Sequence, residues 1–118
     1  MHELNVMLQV IDKVSEIAED NHLNHVTGIV LEIGELSSAL PFFLEEYFPL
    51  MIEDKPMFDG CKLIIENIEG IGQCQQCGKQ YNILKEDGIC PKCGCSHKKI
   101  IQGKDFIIKE IQIPDIRP

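Results

Sequence analysis

The chain has 118 residues, of which 44% are hydrophobic, and its formal net charge is -8. This length and hydrophobic content are enough for one folded domain or for one domain with a small insertion. No stretch reaches the roughly 20 apolar residues that a membrane helix needs, and the N-terminus has no signal-peptide pattern, so we expect a cytoplasmic protein. Residues 1–60 hold twelve acids and two lysines, while residues 61–118 hold seven acids and nine bases, so the acidic half disfavours nucleic acid as a partner.

Two elements with different periodicity are predicted at the start of the chain. From Glu3 to about Asn21, apolar residues recur at steps of three and four, as in an amphipathic helix that buries one face. The segment HVTGIVLEIGEL then alternates with a period of two, which predicts a strand that ends near Gly34. His22 and His25 lie between these elements and are interpreted as helix-capping or surface residues rather than metal ligands.

A second helix is predicted for the apolar run from Phe42 to Met51. Ser37 and Ser38 are its candidate N-cap residues, because a serine hydroxyl can accept hydrogen bonds from the free amides of a first helical turn. Pro49 lies inside the run, where its ring is expected to kink the helix or to end it early.

Two further strands flank a region without periodicity. The segments CKLIIENIEG and KDFIIKEIQI alternate and predict strands, whereas residues 70–99 concentrate glycine, cysteine and lysine. The predicted fold class is therefore α/β, with a small three-stranded sheet, two helices and an inserted module. In this scheme residues 1–69 and 100–118 form the α/β domain, and residues 70–99 form the inserted domain.

The inserted module contains two CxxC pairs, CQQC and CPKC, separated by twelve residues. Two thiolates at this spacing can bind one ion, and two facing pairs make a tetrahedral four-sulfur zinc site, so the module is zinc-ribbon-like. Gly78 and Gly94 follow the second cysteine of each pair, where a positive φ would let backbone amides turn toward the sulfurs. The alternative is a redox role, but redox CxxC pairs usually begin a helix. The expected zinc ligands are Cys74, Cys77, Cys90 and Cys93.

Cys95 and His97 follow the second pair closely and leave two interpretations open. They are either spare groups beside a closed site or additional ligands that replace a cysteine. A closed four-thiolate site has no open coordination position, which argues for structural zinc and against a zinc hydrolase. Cys61, at the start of a predicted strand, is interpreted as a small buried hydrophobic residue.

The N-terminus offers a second candidate metal site. A free α-amine on Met1, the amide nitrogen of His2 and the Nδ1 atom of His2 lie in series, so one ion closes a five-membered and a six-membered chelate ring. Planar nitrogen coordination favours Ni(II) and Cu(II) over Zn(II). The Glu3 amide, a side chain such as His97, or water would complete the coordination. The alternative is that the histidine at position 2 is incidental.

The whole chain resembles the HypA (HybF) family of hydrogenase maturation proteins. The resemblance rests on MHEL at the start, VTGIVLEIGELSSALP, FDGCKLIIE, the paired CxxC motifs and GKDFIIKEIQIP at the end. It implies a nickel-binding α/β domain with an inserted zinc-binding domain. Cys95 departs from the family pattern, in which Gly-Ser commonly follows the last pair. The implied ligands are Met1, His2 and Glu3 for Ni(II), and Cys74, Cys77, Cys90 and Cys93 for Zn(II).

The resemblance also implies a function and partners. Members deliver Ni(II) to the [NiFe] hydrogenase large-subunit precursor in company with a nickel-handling GTPase of the HypB type, and some also serve urease. We therefore expect a nickel metallochaperone that is not an enzyme and that binds neither nucleic acid nor membrane. The sequence leaves open whether the chain forms a homodimer. The alternative function is a zinc-ribbon module for protein interaction or nucleic-acid binding, in which Tyr81 could stack on a base.

Overall fold

The computed structural model describes residues 2–114, apart from the side chain of His2. The described chain forms two three-stranded sheets, with the strand orders β2-β1-β6 and β4-β3-β5. Two helices accompany the first sheet, so the predicted α/β class with a small three-stranded sheet and two helices is confirmed. The elements in chain order are α1 (His2–Asp20), β1 (Gly28–Gly34), α2 (Pro41–Met51), a 3-10 turn (Pro56–Phe58), β2 (Lys62–Ile68), β3 (Ile71–Cys74), β4 (Gln80–Asn82), β5 (Lys98–Gln102) and β6 (Phe106–Gln112).

The chain divides into two compact units. The first contains Met1–Leu31, Ala39–Glu66 and Ile107–Pro118, and the second contains Glu32–Ser38 and Asn67–Phe106. The cysteine-rich segment 70–99 lies within the second unit, together with the turn that follows β1. The assignment of nickel to the α/β domain and of zinc to the inserted domain stays a prediction.

The core of the first unit is built from the apolar faces of both helices and from β1. β1 is the central strand of its sheet, and the side chains of Ile29 and Leu31 on it are fully buried. α1 packs against α2, which contributes Leu44 and Phe48. The residues of α1 in this core recur at the helical spacing seen in the sequence, and they are Met7, Val10, Ile11, Val14 and Ala18.

The C-terminus of α1 ends in a Schellman motif around His22. The amide of Leu23 donates to the carbonyl of Ala18 at 2.8 Å, and the amide of His22 donates to the carbonyl of Glu19 at 3.1 Å. His22 adopts a positive φ of 58°, the left-handed conformation that this motif requires. His22 therefore occupies a capping position and its side chain is exposed, as interpreted from the sequence.

The predicted ends of α2 need two corrections. The helix begins at Pro41 with Leu40 at the N-cap position and no side-chain cap, so the prediction of Ser37 and Ser38 as N-caps is wrong. Proline at the first position has no N–H that needs a cap, and the Ser37 hydroxyl instead donates to the carbonyl of Gly34 at 2.8 Å. Of the two effects expected of Pro49, a kink or an early end, the early end does not occur, because the helix continues to Met51.

Candidate metal centre

The structure brings the four cysteines of the two CxxC pairs together in the second unit. Their four Sγ atoms all lie within 4.8 Å of one another. The Sγ atoms of Cys74 and Cys93 are 3.5 Å apart, and those of Cys77 and Cys90 are 3.6 Å apart. Four sulfurs bound at about 2.3 Å to one zinc ion stand about 3.8 Å apart in a regular tetrahedron, so the cluster has the dimensions of a zinc site.

The first pair forms a tight turn at the end of β3. The amide of Gly78 donates to the carbonyl of Cys74 at 2.9 Å, and the amides of Gln76 and Cys77 lie 3.4 and 3.5 Å from the Cys74 Sγ atom. Gly78 has a φ of 81°, as expected from the sequence. The turn is closed by the amide of Cys74, which donates to the carbonyl of Lys79 at 2.9 Å. Backbone donors thus surround the first sulfur.

The second pair repeats this turn. The amide of Gly94 donates to the carbonyl of Cys90 at 2.9 Å, and Gly94 has a φ of 78°. The amide of Cys90 donates to the carbonyl of Cys95 at 3.0 Å, so Cys95 occupies the position that Lys79 holds in the first turn. The two turns therefore face each other as equivalent halves of one site.

Backbone hydrogen bonds prepare two of the sulfurs to be thiolates. The hydrogen bond from the Cys77 amide lowers the pKa of Cys74 most, and the Gln76 amide lowers it further. Together they outweigh burial, which raises this pKa, so the pKa of Cys74 falls from 9.0 to about 6. Burial opposes ionisation of Cys90, but the amides of Cys93 and Lys92 outweigh it and lower the pKa of Cys90.

The Cys93 sulfur remains protonated as long as no cation neutralises the negative charge of the other sulfurs. The amide of Cys95 favours the Cys93 thiolate, but the neighbouring sulfurs and burial outweigh it and raise the pKa of Cys93 to about 12. Cys74 and Cys90 ionise easily, and two further sulfurs lie at bonding distance from a common centre. Four sulfurs arranged in this way suit a soft divalent cation. The residues present therefore fit zinc.

A small apolar core supports the site. The ring of Tyr81 is only 5% exposed and belongs to the same buried cluster as Cys74 and Cys90, with Ile83 packed against it. The Tyr81 hydroxyl donates to the carbonyl of Gly88 at 3.3 Å, and burial raises the pKa of Tyr81. The sequence-based suggestion that Tyr81 could stack on a nucleic-acid base is therefore wrong, because its ring packs beneath the cysteines.

Three short strands position the site, and sequence analysis missed them. β3 is central and antiparallel to both neighbours, with Gly72 opposite Tyr81 on β4 and opposite Ile100 on β5. The register places Cys74 at the end of β3, where the first turn begins. Strands of three to five residues rich in glutamine, glycine and lysine have too little apolar alternation to be recognised from sequence.

The turn after β1 is part of the second unit. Its backbone forms hydrogen bonds with the segment before β3 and with the segment after β5. The amide of Glu35 donates to the carbonyl of Ile68 at 2.9 Å, and the amide of Leu36 donates to the carbonyl of Gly103 at 2.8 Å. The Asn82 side chain on β4 donates to the Glu35 carboxylate at 3.4 Å. These hydrogen bonds connect the turn to both segments and to β4 within the second unit.

The remaining sequence candidates are not part of the four-sulfur cluster. Cys61 lies just before β2 and is half-buried rather than buried, and burial raises its pKa to about 11. Among the described residues, the metal-binding cluster does not include Cys95 or His97. Met1 and the side chain of His2 lie outside the described residues, and Glu3 is the acidic residue in the first turn of α1.

The fold and the site define a class of protein: a small α/β protein that carries a four-cysteine metal centre on a second, antiparallel sheet. Residues 1–113 match the model of the family described as "Hydrogenase/urease nickel incorporation, metallochaperone, hypA". The chain therefore belongs to this HypA family of nickel metallochaperones. Within the described residues, neither helix has the length and apolar composition needed to cross a bilayer.

Two curated relatives support the assignment, and one solved structure has the same fold. The chain is 34% identical over 113 residues to the hydrogenase maturation factor HypA of Chlorobaculum parvum, covering 96% of this chain and 99% of the relative. It is 34% identical over 116 residues to HypA of Nostoc sp., covering 98% of each. The solution structure of the Ni metallochaperone HypA from Helicobacter pylori has the same fold, with a TM-score of 0.65 at 21% identity, over 94% of this chain and 96% of that one.

Family membership confirms the main functional prediction. The chain is a nickel metallochaperone of hydrogenase or urease maturation with a four-cysteine site that fits zinc. It is also a maturation factor rather than an enzyme, as predicted.

Proposed function

We propose that the chain carries Ni(II) on its N-terminal residues Met1, His2 and Glu3 and delivers it to a [NiFe] hydrogenase large-subunit precursor, with urease as the alternative client. Zn(II) stays bound to Cys74, Cys77, Cys90 and Cys93 throughout. In this proposal the first unit handles the nickel cargo and the second unit is held together by zinc.

The observation that carries the nickel site is the start of α1 at His2. The first four amides of a helix have no acceptor within the helix. The amide nitrogen of His2 can therefore lose its proton and bind nickel without breaking a helical hydrogen bond. With a free amine on Met1 and the imidazole of His2, this nitrogen completes a chelate of the kind that Ni(II) favours.

The charge around the start of the helix supports a cation there. A helix N-terminus carries a partial positive charge that by itself would repel Ni(II). Glu3 places a carboxylate in the first turn of α1, where it offsets this partial charge. The deprotonated amide adds a further negative charge when nickel binds. Since the amine must also be neutral and has a reference pKa near ~8, nickel affinity should weaken in mild acid.

The contrast between the two sites explains why nickel leaves and zinc remains. Cys74 and Cys90 are each only 2% exposed, and backbone amides donate to both sulfurs. The Met1 amine, the His2 amide and the His2 imidazole supply three nitrogen ligands, and the fourth ligand, from Glu3, is the one that an incoming ligand from the acceptor would replace. A carrier needs such an accessible position, whereas a structural ion needs a closed one.

A partner GTPase of the HypB type would dock on the acidic outer face of α1. Asp12, Glu16, Glu19 and Asp20 are exposed there, and only Lys13 offsets them, 3.9 Å from Glu16. Such a face favours a basic partner surface. Charge reversal at Glu16 or Glu19 should weaken capture of the GTPase in a pull-down, whereas the matched single reversal at Glu86 in the second unit should not. Equal effects of both changes would contradict this docking face.

The proposed location is the cytoplasm, where the GTPase and the hydrogenase precursor are also expected. A reducing compartment keeps the zinc-binding cysteines available as thiolates, which agrees with six cysteines that are all free of disulfides in the described residues.

Nickel titration of protein with an unblocked Met1 amine tests the carrier site. His2→Ala should eliminate nickel binding and leave one zinc per chain, as measured by calorimetry and elemental analysis. His22→Asn is the matched control, since it removes an exposed histidine from the turn after the same helix, while asparagine tolerates the positive φ at that position. Extension of the chain by two residues before Met1 should also abolish binding. Unchanged nickel binding in His2→Ala would refute the assignment.

A further inference from the structure

The helix α2 is apolar on more sides than the core of the first unit covers. Its 11 residues are PFFLEEYFPLM, in which Glu45 and Glu46 carry charge and the others are apolar, aromatic or proline. Within the helix, only Leu44 and Phe48 are buried. A surface helix with one buried stripe normally has polar residues on its other sides, whereas a helix that is apolar all round is normally buried. The composition of α2 therefore indicates a second contact surface on its outer side.

The outer side of α2 carries a cluster of large apolar side chains. Phe42 is 66% exposed, Leu50 is 64% exposed and Phe43 is 38% exposed. The rings of Phe42 and Phe43 meet edge to face with their centroids 5.4 Å apart, and the ring of Tyr47 stacks on that of Phe43 at 6.4 Å. Phe42, Phe43, Tyr47 and Leu50 together form the aromatic face of α2. Exposed apolar surface of this kind marks an interaction site, and aromatic side chains are frequent anchors of interfaces.

The aromatic face has the spacing and length to contact another helix. Phe43, Tyr47 and Leu50 follow one another at steps of four and three residues, so they form one stripe along the helix axis. At a rise of about 1.5 Å per residue, this stripe is about 10 Å long, which matches about two turns of a partner helix. Helices pack by fitting such rows of side chains into the grooves of a partner. The matching surface is therefore an apolar stripe with the same spacing.

Acidic side chains interrupt and border the aromatic face. Glu46 is four residues from both Phe42 and Leu50, so its side chain lies between theirs on the same side of the helix. Glu45 and Glu46 are both exposed, and neither forms an ion pair with a described residue. Residues 52–55 add two further acids and one lysine. A surface that is both apolar and acidic favours a partner that is both apolar and basic.

The same acids argue against two other occupants of this face. In a symmetric pair of copies each contact surface faces its own equivalent, so the glutamates of α2 would approach those of the second copy. Such a like-charge contact is unfavourable. A membrane with anionic lipids would repel Glu45 and Glu46, and α2 has no lysine or arginine that could bind lipid headgroups. A basic segment of another protein meets neither obstacle.

We propose that the aromatic face of α2 docks a basic amphipathic helix of another protein. The apolar residues of that helix recur at steps of three and four and pack between Phe42, Phe43 and Leu50. Its lysine or arginine side chains flank the apolar stripe and pair with Glu45 and Glu46. This surface is separate from the acids of α1 that are proposed to receive the GTPase, because its anchors are apolar and lie on a different helix. The inference does not depend on nickel or zinc binding.

The test uses the full chain and a fluorescent synthetic peptide of leucine and lysine, with the leucines at helical spacing, as the basic helix. Fluorescence anisotropy at physiological salt measures binding. Phe42→Ser and Leu50→Ser should each weaken binding by about tenfold, as expected for the loss of an interface anchor. Glu46→Lys should weaken binding as well, because it replaces an attractive charge with a repulsive one. All three side chains are exposed, so the unfolding temperature measured by circular dichroism should stay at the native value.

The second unit supplies matched control variants. Leu84 is 54% exposed, so Leu84→Ser removes an exposed leucine from a different surface. Glu86 is also exposed, and Glu86→Lys changes the net charge by the same amount as Glu46→Lys. Both control variants should bind the peptide like the native chain. A peptide with glutamate in place of lysine, at the same leucine spacing, should not bind the native chain.

Absence of peptide binding by the native chain would overturn the proposal, and so would binding that Phe42→Ser and Leu50→Ser leave unchanged. Equal losses in Glu46→Lys and Glu86→Lys would overturn it too, because they would show attraction by net charge alone. Self-association in sedimentation equilibrium that Phe42→Ser abolishes would make a second copy the occupant. Binding to vesicles of neutral phosphatidylcholine that Phe42→Ser abolishes would make a membrane the occupant.

Discussion

The backbones of Gly34 and Gly103 lie in direct contact, so that a Cβ atom on Gly34 would overlap the carbonyl group of Gly103. The close approach occurs where the turn after β1 meets the segment between β5 and β6, and the amide of Leu36 donates to the Gly103 carbonyl beside it at 2.8 Å. A side chain at position 34 would force this hydrogen-bonded junction apart.

Gly34→Ala should therefore lower the free energy of unfolding by about 3 kcal/mol, the upper range for inserting an atom into a packed site. Gly60→Ala is the control, because Gly60 has a φ of 73° but no atom within 4 Å of a Cβ, and it should cost only about 1 kcal/mol. Urea denaturation at fixed zinc concentration measures both. Equal costs for the two variants would contradict a steric role for the junction.

Gly78→Ala should weaken zinc binding without a steric clash. Gly78 has a φ of 81° and open space around a Cβ, so the penalty is the left-handed backbone conformation alone, about 1 kcal/mol or about fivefold in affinity. Gly78→Asn should recover part of the loss, because asparagine tolerates this conformation. Competition with a chromogenic chelator measures the affinity, and an unchanged value in Gly78→Ala would contradict the predicted turn requirement.

Removal of zinc should unfold the second unit before the first. The core around the cysteines consists of Cys74, Tyr81 and Cys90 with a few half-buried neighbours, whereas the first unit buries the faces of two helices against β1. Metal binding therefore supplies most of the folding free energy of the second unit. After chelation, hydrogen exchange should accelerate at amides of β3 and β5 while those of Ile29 and Leu31 stay protected. Simultaneous loss of protection in both units would contradict this order.

Cys61 should react slowly with thiol reagents near neutral pH. Burial raises its pKa to about 11, so below that value only a small fraction is the reactive thiolate. The rate of alkylation of the zinc-loaded protein at Cys61 should rise about tenfold per pH unit from pH 8 to pH 10, whereas free cysteine levels off above its pKa near ~8.5. Peptide mapping after timed alkylation follows the residue, and a rate that levels off with free cysteine would contradict the raised pKa.

The sequence predicts those parts of the molecule that repeat a regular pattern or a fixed spacing. The buried positions of α1, from Met7 to Ala18, follow the apolar period closely, and the two CxxC pairs meet as their spacing requires. The positive φ values of Gly78 and Gly94 were also predictable, because each glycine follows a pair that must turn back.

The parts that the sequence does not predict depend on contacts between distant segments. β3, β4 and β5 are too short to show alternation, and β3 pairs with β5 across the intervening residues 75–97. The serines before α2 looked like caps, but Pro41 begins the helix and Ser37 bonds locally to Gly34. The contact between Gly34 and Gly103 joins residues far apart in the chain, and no local pattern indicates it.

The central claim is that nickel is bound by nitrogen ligands at the start of α1 while sulfur holds zinc in the second unit. X-ray absorption at the nickel edge, on zinc-loaded protein with a free Met1 amine and one equivalent of Ni(II), tests it most directly. We predict nickel surrounded by nitrogen and oxygen in a planar arrangement, and unchanged zinc–sulfur coordination. Sulfur in the nickel shell, or nickel that displaces zinc from the cysteines, would contradict the account.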